Sequence, residues 1–261
     1  MALSDSLGPV FSRIAGRYGC RYACHIEDME NGDCFGYEDE RQLPSASLIK
    51  LPVMGEMLRE AREGGIRLDQ RMTLTEKDKV PYSILTLLDT SNSYTLADLI
   101  TLMIIQSDNT AANLLIRLAG MDRINAFSRS LGLEKTLLQR SMMDFEARKA
   151  GRENFTSAAD MGRFMAALYR RQIVDRDASE WMLRVLKEQL DRSMMMLYLP
   201  DSLEVAHKTG ELENLDHDAG LVSSPAADYS FAALVWNAPD NCSARLAVAE
   251  MSRAVYKYYN N

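Results

Sequence analysis

The 261-residue sequence predicts an α+β fold, an antiparallel sheet assembled from both ends of the chain and flanked by helices, with an all-helical block inserted between. Three observations predict it. Strand-like runs occur only near the termini, helical periodicity fills the middle, and no repeat, low-complexity tract or Gly/Ser linker divides the chain. Strands at two distant chain ends can share one sheet in a layered architecture. The expected organisation is residues 1–45 and 200–261 as an α/β subdomain and residues 46–199 as an all-helical subdomain, within one continuous domain. A cleft between the two is the expected ligand site.

The elements follow in order. Leu7, Val10, Phe11, Ile14 and Tyr18 form a helical stripe. Cys20 to Ile26 reads as a strand, and Asn31-Gly32 as the hairpin turn before a second one. Leu48 to Glu63 is a helix stopped by Gly64-Gly65, and Thr95 to Ile105 opens with a Thr-x-x-Asp cap. Asn109 to Leu118 ends at Gly120, and Met121 to Leu131 follows. Residues 133–155 lack periodicity and read as an irregular loop. Ser157 to Arg170 and Ala178 to Gln189 are helical. After Pro200, Leu203 to His207, Ala219 to Ser223 and Tyr229 to Trp236 are strand-like, and Ser243 to Tyr259 is a closing helix.

Composition narrows the function. The chain is 47% hydrophobic and 26% charged, enough for a large core, and its net charge of −7 without a basic cluster argues against nucleic acid. No apolar run reaches about 18 residues, so no membrane helix is expected. MALSDSLGPVFSRIAG lacks a basic start followed by an apolar stretch, so no signal peptide is read; a cytoplasmic monomer is expected, or a periplasmic or secreted one if a leader has been removed. Cys20, Cys24, Cys34 and Cys242 read as small, half-buried strand thiols of a reduced protein. With His25, His207 and His217 they form no metal-ligand pattern, and no cofactor is implied.

The short stretch SASLIK, residues 45–50, holds the only Ser-x-x-Lys in the chain. Ser47 is either the N-cap of a helix or a nucleophile with Lys50 one turn on. A serine hydroxyl needs a base, and residues three apart on a helix share a face. A partly buried lysine near other cations loses affinity for its proton and can serve as that base. Ser47 at a helix N-terminus also turns its own N–H toward a developing oxyanion. Two further tripeptides accompany it. Ser107-Asp108-Asn109 lies at a helix boundary in IIQSDNTAANLLI, and Lys208-Thr209-Gly210 ends a strand in LEVAHKTGEL.

Ser-x-x-Lys, Ser-Asp-Asn and Lys-Thr-Gly in this order are a known signature, and through them the chain resembles the penicillin-recognising serine hydrolases, class A β-lactamases in particular. The similarity runs from about Leu43 to the last helix. It implies the β-lactamase-like α+β fold and a small β-lactam or related amide or ester as substrate. It implies that Ser47 is acylated, that Lys50 is the base and that Ser107 relays a proton to the leaving nitrogen. It further implies that Asn109 orients Lys50, that Lys208 and Thr209 hold the substrate carboxylate, and that the backbone N–H of Glu211 is the second oxyanion donor. Gly210 would let substrate lie against the strand edge. Tyr82 stands where the family carries an aromatic at the cleft edge; the alternative is a plain core or loop aromatic.

The sequence departs from that family at two places. Class A enzymes carry a water-activating glutamate in the pattern Arg, any residue, Glu-Pro, any two residues, Asn. Counted from Arg140, the glutamate position holds Met142 and the asparagine position Glu146; counted back from NFTSAADM, the glutamate position holds Ser141. Asp144 or Glu146 reaches the water from a shifted loop, or both are solvated acids. Glu211 to Asp218 is acidic, either weakening anionic substrates or forming a solvated hairpin tip. The expected activity is β-lactam hydrolysis through an acyl-enzyme with slow deacylation. Its rivals are a D-alanyl-D-alanine peptidase or esterase and a penicillin-binding sensor that stays acylated.

Overall fold

The computed structural model describes residues 2–260. Helix α1 (Leu3–Tyr18) leads into β1 (Arg21–Asp28) and β2 (Cys34–Tyr37). The middle holds β3 (Leu43–Pro44), a 3-10 turn (Ala46–Ile49), α2 (Lys50–Arg62), β4 (Arg71–Thr73), β5 (Ser93–Thr95), α3 (Leu96–Ile105), α4 (Asn109–Ala119), α5 (Met121–Ser130), α6 (Phe145–Lys149), β6 (Phe155–Thr156), α7 (Ala158–Tyr169) and α8 (Arg176–Lys187). β7 (Glu204–Leu212), β8 (Leu215–Ser223), β9 (Asp228–Trp236) and α9 (Asn241–Asn260) close the chain.

The main sheet has five antiparallel strands in the order β2-β1-β9-β8-β7. The two chain ends meet where β1 pairs with β9, from Arg21 opposite Trp236 to Asp28 opposite Tyr229. Alternate side chains on a strand face opposite ways. Tyr22, Cys24, Ile26, Phe231, Ala233 and Val235 pack with α1 and α9. Ala23, Ala206, Leu221, Ala232 and Leu234 join the second core, with the middle helices. Thus β9 is buried on both faces and reads as one apolar run. β7, the edge strand, packs against the 3-10 turn that carries Ser47.

The expected capping of α3 is present: Thr95 Oγ1 accepts from Asp98 N at 3.0 Å and Thr95 N donates to the Asp98 carboxylate at 2.9 Å. Several expectations are corrected. Strands are not confined to the chain ends, because β4 pairs with β5 and β3 with β6; segments of two or three residues are too short to show alternation. The irregular loop contains α6, capped by Asp144, which accepts from Ala147 N at 2.9 Å. β8 begins at Leu215 rather than Ala219, and Asp216, His217 and Asp218 are buried rather than part of a solvated tip. Each has a distant partner: Asn241 donates to Asp216 (2.7 Å), His217 Nε2 to the Pro44 carbonyl (3.0 Å), and Met195 N to Asp218 (3.0 Å). Of the four thiols, all free, only Cys20 is half-buried; Cys24 is fully buried, and Cys34 and Cys242 are exposed, the last on a helix. Among the described residues no helix is long and apolar enough to cross a membrane.

Candidate active site

Ser47 is not an N-cap. It sits inside the 3-10 turn, half-exposed, and the turn has no side-chain cap. The turn is held against β7 because Gly210 leaves room. A Cβ on Gly210 would lie 3.1 Å from Ser47 N and 3.1 Å from Ala46 Cβ. The space beside Gly210 is therefore taken by the turn that carries Ser47, and β7 forms the outer edge of the sheet.

Lys50, the first residue of α2, is fully buried, and its Nζ is the hub of the cluster. It lies within hydrogen-bond distance of four oxygens, Ser47 Oγ at 3.0 Å, Asn109 Oδ1 at 2.8 Å, Ser107 Oγ at 3.1 Å and the Ser107 carbonyl at 2.6 Å, one more than its N–H groups can serve at once. Burial pushes its pKa well below the usual lysine value, and the charge of Lys208 pushes the same way, against a smaller opposing pull from Asp108. Lys208, also fully buried, donates to Ser107 Oγ at 3.0 Å and to the Thr209 carbonyl at 2.8 Å. Its pKa falls to about 8, mainly through burial, with Asp218 and Asp191 holding it up.

Ser107 reaches both lysines because it joins α3 to α4 in the left-handed region, with φ of 54°. Strain of this kind in a non-glycine residue persists only where the surroundings hold it. Asp108 supplies part of that hold. Its buried carboxylate caps α4 at Ala111 N (2.8 Å) and accepts from Ser83 Oγ (2.6 Å) and Leu85 N (3.1 Å). Asn109 Nδ2 donates to the Pro81 carbonyl at 3.1 Å, so one side chain ties Lys50 to the loop bearing Tyr82. Tyr82 is 81% exposed on that loop and is not a core aromatic.

The structure thus brings together Ser47, Lys50, Ser107, Asn109, Lys208, Thr209 and Gly210. It does not bring Glu146 to them: that carboxylate is 84% exposed on α6 and paired with Lys149 at 2.9 Å. Asp144 is engaged as the α6 cap. Met142 is the loop residue fixed to the helix that carries Asn109: its N–H donates to Asn113 Oδ1 at 2.7 Å and its carbonyl accepts from Asn113 Nδ2 at 3.0 Å. Its side chain is buried. Glu211, beyond Gly210, turns its carboxylate to Arg245 of α9, which also faces Asp216 at 3.4 Å. Asn113, Asp191, Asp218 and Arg245 carry no motif of their own; only the position of Asp108 between Ser107 and Asn109 marked it beforehand. Among the described residues no His, Cys, Asp or Glu group is arranged to hold a metal.

A family model described as the Beta-lactamase enzyme family matches residues 7–259. The chain is 28% identical to a β-lactamase of Rhodobacter capsulatus over 184 residues, covering 68% of this chain and 63%, less than two thirds, of that protein. It is 29% identical to a β-lactamase of Streptomyces fradiae over 234 residues, covering 82% of this chain and 75% of the relative. The crystal structure of a β-lactamase from Sphaerobacter thermophilus superposes with a TM-score of 0.91 at 27% identity, covering 98% of each chain. With the family match running nearly end to end, the chain belongs to the beta-lactamase enzyme family.

Proposed function

We propose that the protein is a serine hydrolase that acylates Ser47 with β-lactam amides and releases the product slowly. The observation that carries this reading is the 3.0 Å approach of a fully buried Lys50 Nζ to Ser47 Oγ. Neutral Lys50 takes the Ser47 proton as Oγ bonds the lactam carbonyl carbon. The C–N bond breaks, and the proton passes through Ser107 Oγ to the leaving nitrogen. Backbone N–H groups of Ser47 and Glu211 face the oxyanion in this reading. Lys208, protonated below about pH 8, attracts the substrate carboxylate.

Release needs water to attack the acyl carbon with a base to take its proton. Met142 and Ser141, the two residues that fall where the family pattern places glutamate, carry a thioether and a hydroxyl that cannot do so, and the Glu146 carboxylate is paired with Lys149. Intact mass spectrometry after mixing with a penicillin tests the proposal: one adduct is expected, absent in Ser47→Ala. An adduct that survives in that variant removes Ser47 from the role.

A further inference from the structure

A cavity of about 430 Å³ runs along α4, beside the catalytic cluster and outside it. Its size is that of a small-molecule site. One wall is the 77–80 segment and the other is Ser141, with Asn113 and Arg117 along the helix between them. Asn109, on Lys50, and Asn113, in the cavity wall, are one turn apart and share a helix face, about 6 Å of rise. Asn113 is also the residue that clamps Met142, so the near end of the groove adjoins the loop position where the family pattern carries its glutamate. Arg117 lies about another 6 Å along the helix, and Gly120 and Met121 line the groove beyond it.

The lining has two parts. Val80, Leu114 and Met121 make it apolar along its length. Its charged lining residues are Lys77, Arg117 and Asp78. Asp78 is already satisfied: it accepts from Thr75 N at 2.7 Å, Thr75 Oγ1 at 2.9 Å and Arg117 at 2.6 Å. Arg117 uses one donor on it, is 61% exposed and keeps the rest of its guanidinium N–H groups for another anion. Lys77 is exposed and has no ion-pair partner among the described residues. The charge left over is positive.

Resting on the acyl-serine reading above, we propose that this groove is the subsite for the acyl arm of the substrate, and that it selects an extended apolar arm ending in an anionic group. The acyl carbon sits at Ser47, the chain follows α4 past Asn113, and the terminal anion meets Lys77 and Arg117. This makes the preferred substrates amphipathic acyl donors, with an anion on the acyl side of the scissile bond.

The test compares p-nitrophenyl acetate, p-nitrophenyl octanoate and the p-nitrophenyl monoester of suberic acid. Nitrophenolate release gives the second-order acylation rate, and intact mass gives the Ser47 adduct. The suberate monoester should react about tenfold faster than the octanoate, as one well-placed ionic contact implies. The exposed double variant Lys77→Gln/Arg117→Gln should erase that ratio and leave the acetate rate unchanged. Equal rates for suberate and octanoate, or a ratio that survives the double variant, would overturn the inference while Ser47 acetylation still upheld the acyl-serine reading. Failure of acetate to label Ser47 overturns both.

Discussion

Lys50 and Lys208 converge on one oxygen, Ser107 Oγ, at 3.1 and 3.0 Å. Burial lowers the pKa of both, and the charge of Lys208 lowers that of Lys50 further. Asp218 and Asp191 favour the charge on Lys208. In the proposed mechanism Lys50 is the neutral base and Lys208 the cationic anchor, two residues of the same type in different surroundings.

Removing the two lysines should have different consequences. Lys50→Ala eliminates the base and should cut the acylation rate constant about 10²-fold or more on every substrate. Lys208→Ala should mainly raise KM for carboxylate-bearing substrates and spare neutral esters. Acylation rates measured with a penicillin and with a neutral p-nitrophenyl ester decide this, and equal losses on both would remove the carboxylate role from Lys208.

The pH profile should carry the same division. Lys50 acts when neutral, so acylation falls as pH drops through its lowered pKa. Lys208 binds an anion when protonated, so affinity for carboxylate substrates falls as pH rises through about 8. Stopped-flow acylation across pH should give an alkaline limb near 8 for a penicillin and none there for a neutral ester. The same alkaline limb on both substrates would show that Lys208 serves the reaction itself.

Gly210→Ala should damage the site by displacing the turn that carries Ser47. The new Cβ would meet Ser47 N and Ala46 Cβ at 3.1 Å, tighter than ordinary contact, so the turn must shift away from β7. Overpacking of this kind costs roughly 1–3 kcal/mol. Thermal unfolding should show that loss, and acylation should fall by about tenfold or more because Ser47 moves. Unchanged stability and acylation would mean that the turn is not held by this approach.

The loop acid can be tested directly. Because Glu146 is exposed and held by Lys149, Glu146→Gln should deacylate at the parental rate. Met142→Glu places a carboxylate where Asn113 fixes the loop and should speed release, by up to about 10²-fold for a positioned base. Adduct decay followed by mass gives both rates. Slower decay in Glu146→Gln would assign the water to Glu146 after all.

Much of the molecule was legible in the sequence where the determinants are local. Thr95 and Asp98 announced α3, and the apolar run of Tyr229 to Trp236 announced β9. Ser47, Lys50, Ser107 and Lys208 were legible because their spacing is fixed within short motifs. Determinants that act at a distance were not. Asp216, His217 and Asp218 look like a solvated turn until Asn241, Pro44, His207 and Met195 are brought to them by the fold. The role of Gly210 depends on the turn packed against it, and that of Asn113 on a loop 29 residues away. Glu146 was an available acid in sequence, but α6 turns it to solvent.

A site that acylates readily and deacylates slowly should reveal itself in rapid quench with a penicillin. A burst of about one equivalent of opened lactam, followed by a much slower steady state, is the predicted result. Hydrolysis at a steady rate from the first turnover, with no burst, would contradict it and show that another base activates the water.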